Sequence, residues 1–117
     1  MRNCRQALLI TVFVGVCLPA SGGEMAGMGA GTLTCAKFAQ IFAGSPDSAE
    51  FEFYSWAQGF MSGWNIANVR AGQPMHDLNA TSQTSQETYL RQYCDQHPLR
   101  GYVEGVMALF GSLPNTH

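Results

Sequence analysis

The sequence predicts an all-α protein: a small four-helix domain stapled by one disulfide and preceded by an N-terminal signal peptide. Three observations predict it. Apolar residues recur at intervals of three and four in separate stretches, the pattern of helices with one buried face. No stretch shows strand-like alternation or a hairpin signal. Once an apolar leader is set aside, two cysteines remain, and an even pair in an exported chain reads as one disulfide.

The leader comes first. Arg2 and Arg5 precede the apolar run 7–18 (ALLITVFVGVCL), which gives way to Pro19 and then to small residues. This is the layout of a secretory signal peptide. As a helix the run spans about 18 Å, short of the roughly 30 Å hydrocarbon core, so no stable membrane span is expected after cleavage. Ala20-Ser21-Gly22 supplies small residues at the recognition positions, and the cut is expected after Gly22. The organisation is then a signal peptide over 1–22, a flexible Gly-rich lead-in over 23–33 and a helical domain over 34–117. Cleavage discards Cys4 and Cys17 and leaves Cys35 and Cys94. A bridge between them closes a loop of about 60 residues, for which chain entropy gives roughly 4 kcal/mol.

Thr34 is placed to cap a first helix over Cys35–Ala43, with Phe38, Ile41 and Phe42 at helical spacing beside Cys35. Gly44, Ser45 and Pro46 end it, and Ser45 as cap with Pro46 in the first turn opens a long second helix. Asp47, Glu50 and Glu52 sit near its positive end, which is sufficient reason for the acidic cluster. The second helix runs to about residue 70, where Gly72 and Pro74 stop it, and Phe53, Trp56, Ala57, Phe60, Trp64 and Ala67 form its expected buried stripe. A polar connector over 72–83 follows, and Thr84-x-x-Glu87 has the form of a capping box for a third helix with Tyr89, Leu90, Tyr93 and Cys94 inside. Pro98 is expected near the first turn of a fourth helix whose apolar face is Tyr102, Val106, Leu109, Phe110 and Leu113.

Gly59 and Gly63 in the second helix, and Gly101 and Gly105 in the fourth, form two GxxxG steps. Each interior glycine costs about 0.5–1 kcal/mol against alanine, so the four predict a compensating close approach. The expectation is that helices two and four cross at these glycines. The structural core is accordingly expected to include Phe38, Phe42, Trp56, Gly59, Phe60, Gly63, Trp64, Tyr93, Gly101, Gly105 and Val106.

Composition narrows the function classes. Charged residues are 12% of the chain, against roughly 25% in an average soluble domain, and hydrophobic residues are 46%, which excludes charge-driven disorder. Residues 23–117 hold four basic and eight acidic side chains, a net −4 with histidines neutral, which argues against a nucleic-acid partner. Cys94-x-x-His97 has a zinc-like spacing, but His76 and Asp95 are not patterned as further ligands and the disulfide claims the sulfur, so no metal or other cofactor is expected. His76-Asp77 lacks a matched nucleophile, Ser62 lies outside any G-x-S-x-G elbow, and Gly27, Gly29 and Gly31 follow no strand, so no catalytic residue is assigned. Asn79-Ala80-Thr81 matches a glycosylation sequon that depends on a eukaryotic host. These features predict a non-enzymatic protein whose partners are other proteins.

Leu33-Thr34-Cys35, Trp56-Ala57-Gln58-Gly59-Phe60 and Tyr93-Cys94-Asp95-Gln96-His97-Pro98, set in an exported helical chain, resemble the HdeA/HdeB family over residues 33–99. The family consists of small periplasmic helical proteins with one disulfide, some of them acid-activated chaperones. The resemblance implies a periplasmic location, unfolded proteins as clients, a possible homodimer, Cys35–Cys94 as the family disulfide, and Trp56, Gly59 and Phe60 as core positions. Against a chaperone activity stands the single lysine, Lys37, and an apolar helix that continues past the late cysteine. A second resemblance rests on Tyr89-Leu90, His97-Pro98-Leu99 and Val106-Met107-Ala108-Leu109. These are similar to the C-terminal half of periplasmic immunity proteins that neutralise peptidoglycan amidases of type VI secretion, although the extra cysteines of that pattern are missing.

Overall fold

The computed structural model describes residues 27–116; the expected leader over 1–22, its cleavage site and residues 23–26 lie outside them. Four helices follow in order: α1 (Cys35–Gly44), α2 (Pro46–Arg70), α3 (Gln83–Gln96) and α4 (Tyr102–Ser112), with a short 3-10 turn at Ala30–Thr32 before them. Among the described residues there is no strand, only isolated bridges pairing Thr34 with Gly101 and His76 with Asn115. The all-α class is as expected. So is the Cys35–Cys94 disulfide, which ties the first turn of α1 to the last turns of α3 across 59 residues with a Cα–Cα distance of 4.6 Å.

The N-terminus of α1 is satisfied from two directions. Thr34 Oγ1 accepts from the Lys37 amide at 3.1 Å, while the Cys35 and Ala36 amides donate to the carbonyls of Arg100 and Pro98 at 2.8 and 2.9 Å. The Tyr102 amide returns a bond to Leu33 O at 2.9 Å. The 97–101 segment therefore serves as a backbone cap for α1, because helix amides that lack an intrahelical partner need an acceptor.

The start of α2 follows expectation, with Pro46 in the first turn after Ser45, although the Ser45 side chain makes no cap bond. Its buried face differs from the expected stripe. Ala49, Phe53, Tyr54, Ala57 and Met61 are buried, Trp56, Phe60 and Trp64 are half-buried, and Ala67 is exposed. The face is rotated because Phe38 of α1 and Tyr102 of α4 pack on Phe53 while Gln86 of α3 meets Tyr54, leaving the aromatic row at its margin. The innermost contact is a triangle of Phe38, Phe53 and Tyr102, with ring centroids 4.7, 4.9 and 5.1 Å apart. Burial pushes the Tyr102 hydroxyl well above its usual range.

The helix α3 starts earlier than the Thr84 capping box implied. Ser82 is the cap, its side chain accepting from the Ser85 amide at 3.1 Å, and Glu87 instead takes a bond from Gln83 Nε2 at 2.7 Å. α4 begins at Tyr102, so Pro98 lies upstream of its first turn and Gly101 is the cap residue rather than a helix-interior glycine. The expected apolar face of α4 is observed: Tyr102, Val106, Leu109, Phe110 and Leu113 are all buried.

The described part of the lead-in packs on α2. Ala30 and Gly31 are buried, Gly29 takes a positive φ of 87°, and Trp56 Nε1 donates to Met28 O at 2.7 Å. Gly31 lies flat under the Trp56 ring, where a Cβ would come within 2.1 Å of the indole. Gly29 and Gly31, two of the glycines that predicted flexibility, allow a close approach to Trp56.

Candidate protein-binding surface

The glycine crossing expected between α2 and α4 is not formed. Gly59 and Gly63 are exposed on α2, with open space where a Cβ would stand. Gly105 is buried, but its close neighbour is Tyr93 of α3, whose ring would be 2.8 Å from an added Cβ. The tight contact is thus between α3 and α4. Gly101, half-buried, caps α4, its amide donating to the Glu104 carboxylate at 2.8 Å. Of the remaining expected core positions, Phe38 and Val106 are buried, while Phe42, Trp56, Phe60, Trp64 and Tyr93 are half-buried and pack on the core from its edge.

Three of those edge aromatics, Trp56, Phe60 and Trp64, open a continuous row that runs on through Phe110. Trp56 stacks on Phe60 at 5.2 Å, Phe60 meets Trp64 edge-on at 5.8 Å, Trp64 stacks on Phe110 at 4.4 Å, and the His76 ring lies 4.3 Å from Phe110. The connector and C-terminal residues hold the far end of the row. Asn65 grips the His76 backbone through two 2.8 Å bonds, His76 Nδ1–H donates to Leu113 O at 2.8 Å, and the Asp77 amide donates to Pro114 O at 2.7 Å.

Two polar clusters join the helices. Arg91 pairs with Glu50, donates to Thr88 Oγ1 at 3.1 Å and lies 5.4 Å over the Phe42 ring, so α1, α2 and α3 meet there. Desolvation raises the Glu50 carboxyl above its usual range, with Arg91 opposing and Glu87 adding to the rise. Glu104 has the opposite shift: the Gly101 amide and then Arg100, 2.9 Å away, hold its carboxyl below the usual range. Gln86, buried, is the residue that sequence reasoning missed. It accepts from Tyr54 OH at 3.0 Å and donates to Leu78 O and Thr81 O at 2.8 and 3.2 Å, fastening the connector to α2 and α3. A glutamine among polar neighbours gives no sequence signal for this.

The residues weighed for chemistry are not brought together. Cys94 is consumed by the disulfide, His97 stacks on Tyr93 at 4.4 Å with Nδ1 bonded to Tyr93 O, and Asp77 accepts from the Asn79 amide rather than from His76. Among the described residues there is no group of three or more His, Cys, Asp and Glu placed to hold a metal ion. A cleft of about 350 Å³ between α2 and the connector is lined by Gln58, Ser62, Asn79, Thr81 and Gln83 over a floor of Tyr54, Met61 and Leu78. It contains hydrogen-bonding groups and no charged side chain. Of the exposed large apolar residues, Met28, Phe51, Ile66, Val69 and Leu99 are each more than half exposed. Among the described residues, no helix is long and apolar enough to cross a membrane. Comparison with protein-family models, curated proteins and solved structures found no match to this chain.

Proposed function

We propose that this chain is a small exported protein that works by binding other proteins, and that it acts as an acid-stress periplasmic chaperone of the HdeA/HdeB type. The observation that carries the reading is the difference in how the helices are held. α1 and α3 are joined covalently through Cys35–Cys94, whereas the N-terminus of α4 is capped by its own Glu104 carboxylate and held to the fold by the Tyr102 amide bond to Leu33 O and by packing. Acid removes the Glu104 cap and leaves the disulfide intact.

The signs can be followed group by group. The Glu104 carboxyl is depressed in the fold, so the stability it contributes is present above its unfolded-state pKa and is lost as pH falls through the lower folded value. Glu50 is raised, so its protonation comes earlier on acidification and does not by linkage weaken the fold. Well below about pH 3 the carboxylates are neutral, and residues 23–117 pass from −4 to +7 through four basic side chains and three histidines. That repulsion acts on a domain whose stability is about 5–15 kcal/mol. Loosening α4 would uncover Phe110, Trp64 and the aromatic row beside them, an apolar surface suited to unfolded clients, while the disulfide limits expansion.

The test is suppression of aggregation of an unrelated protein at pH 2–3, measured by light scattering, together with binding of an apolar dye during acidification. Both should rise as pH falls and be absent at neutral pH. A protein that keeps its native fold and binds no dye at pH 2 overturns the proposal. Inactivity in acid combined with protection against a peptidoglycan amidase encoded beside the gene would move the protein to the immunity class.

A further inference from the structure

The cleft between α2 and the connector is walled by groups of one kind. Gln58 and Ser62 come from α2, Asn79 and Thr81 from the connector and Gln83 from the start of α3, and none of the lining residues carries a charge. Much of their hydrogen-bonding capacity is unspent among the described residues. Asn79 and Thr81 are fixed through backbone atoms, the Asn79 amide donating to Asp77 Oδ1 and Thr81 O accepting from Gln86, while Gln83 uses only its Nε2. Ser62 Oγ donates to Gln58 O at 2.7 Å and keeps its lone pairs. The floor is apolar at Met61 and Leu78, and it is held in place by the buried Gln86, which binds Tyr54 OH, Leu78 O and Thr81 O together. A wall fastened in this way is formed before any ligand arrives, which spares the cost of ordering it on binding.

We propose that this cleft binds a neutral mono- or disaccharide. Its volume of about 350 Å³ lies at the lower end of the roughly 300–1,000 Å³ of small-molecule sites, which suits a ring-sized ligand. The chemistry of the walls excludes the other classes in turn. An anion finds no lysine or arginine there and a cation no carboxylate, so either would lose its hydration without a charged partner. A wholly apolar ligand would strip water from the amides and hydroxyls and replace none of their bonds. A sugar hydroxyl both donates and accepts, as amide and hydroxyl side chains do, so one wall can serve several hydroxyls in place of water. The C–H face of the ring then covers Met61 and Leu78. An extended peptide is served less well, because it is read by a sheet edge or by a row of apolar pockets, and the described residues form no strand. The inference is independent of the chaperone reading, since the cleft is in place in the native fold and needs neither acid nor client.

Titration of the isotope-labelled protein at neutral pH with cellobiose, and separately with its acetamido counterpart chitobiose, tests this by nuclear magnetic resonance. The side-chain amide signals of Gln58, Asn79 and Gln83 should move and saturate with a millimolar Kd. Saturation by either sugar supports the site, and saturation by chitobiose alone adds the acetamido group to what is recognised. Asn79→Ala and Gln83→Ala should each weaken binding at least threefold, and Ser62→Trp, which fills the cleft, should abolish it. None of the three should lower the melting temperature, because all three side chains are exposed. Glucuronate and N-acetyl-dialanine amide, an anionic and a peptide control, should bind at least fivefold more weakly than the sugars. Signals that do not saturate at tens of millimolar of either sugar, binding that these variants leave unchanged, or a control that binds as tightly as the sugars overturns the proposal.

Discussion

Replacing Gly31 by alanine sets two opposing effects against each other. At a position with ordinary negative φ, alanine reduces the entropy of the unfolded chain and stabilises by about 0.4–1 kcal/mol, and Gly31 is not among the positive-φ glycines. Against this, the new Cβ would lie 2.1, 2.1 and 2.3 Å from three carbons of the Trp56 ring, where carbon atoms normally rest about 3.5–4.0 Å apart. The indole cannot give way freely. Its Nε1 is bonded to Met28 O and its face is stacked on Phe60. Overpacking of this kind costs roughly 1–3 kcal/mol, and a lost Trp56–Met28 bond adds about 0.5–1.5 kcal/mol. The steric effect wins, and Gly31→Ala should destabilise the protein by about 1–3 kcal/mol after the entropy gain is subtracted. The outcome is bounded, because the turn at Ala30–Thr32 can lift off and expose Trp56, which limits the loss to the energy of docking. Urea unfolding followed by tryptophan fluorescence measures both the stability and a red shift of native emission. The control is Gly111→Ala, in α4 with open space around it, which should stabilise by about 0.5–1 kcal/mol. If Gly31→Ala proves as stable as the parent with unchanged emission, the docking of the lead-in on Trp56 is wrong.

Three further outcomes follow from the same contacts. Cys35→Ala with Cys94→Ala should cost about 4 kcal/mol in urea unfolding, from the 59-residue separation of the bridged cysteines, and reduction of the parent should reproduce most of that loss. Gln86→Leu leaves the Tyr54 hydroxyl and two carbonyls without their partner and should cost about 2–3 kcal/mol, measured by thermal denaturation. Glu104→Gln should lower stability at neutral pH and flatten the acid limb of the stability–pH curve, because the contribution of a depressed carboxyl is lost as pH falls through its folded pKa; acid titration by circular dichroism reads this.

Elements that depend on local chemistry were legible in the sequence. The Thr34 cap, the Ser45-Pro46 helix start, the stop near residue 70 and the apolar face of α4 each involve residues within a turn or two of one another. The long-range pairing of Cys35 with Cys94 was legible for a different reason, since setting aside the expected leader leaves one pair. What sequence reasoning misplaced depends on direction across the fold. The buried face of α2 is rotated toward Tyr54 and Met61 because neighbouring helices arrive from that side, and periodicity says only that a face exists. The GxxxG pattern states that a helix surface is smooth without saying what approaches it: Gly105 receives Tyr93, Gly101 is a cap, and Gly59 and Gly63 face outward. Gln86 was invisible because burial of an amide is decided by partners at Tyr54, Leu78 and Thr81 that converge only after folding.

By itself, then, the sequence determined the all-α class and, among the described residues, the number and order of the helices and the one covalent link, because helix formation and capping draw on neighbours in the chain and the cysteine pair left outside the expected leader has one way to close. Only the tertiary structure decided which glycines accept a neighbour, that the lead-in is pinned under Trp56, that the capping of α1 is shared with the carbonyls of Pro98 and Arg100, and that Phe51, Ile66 and Val69 of α2 are left facing outward. Each of those depends on where a distant surface stands, and no local pattern encodes that distance.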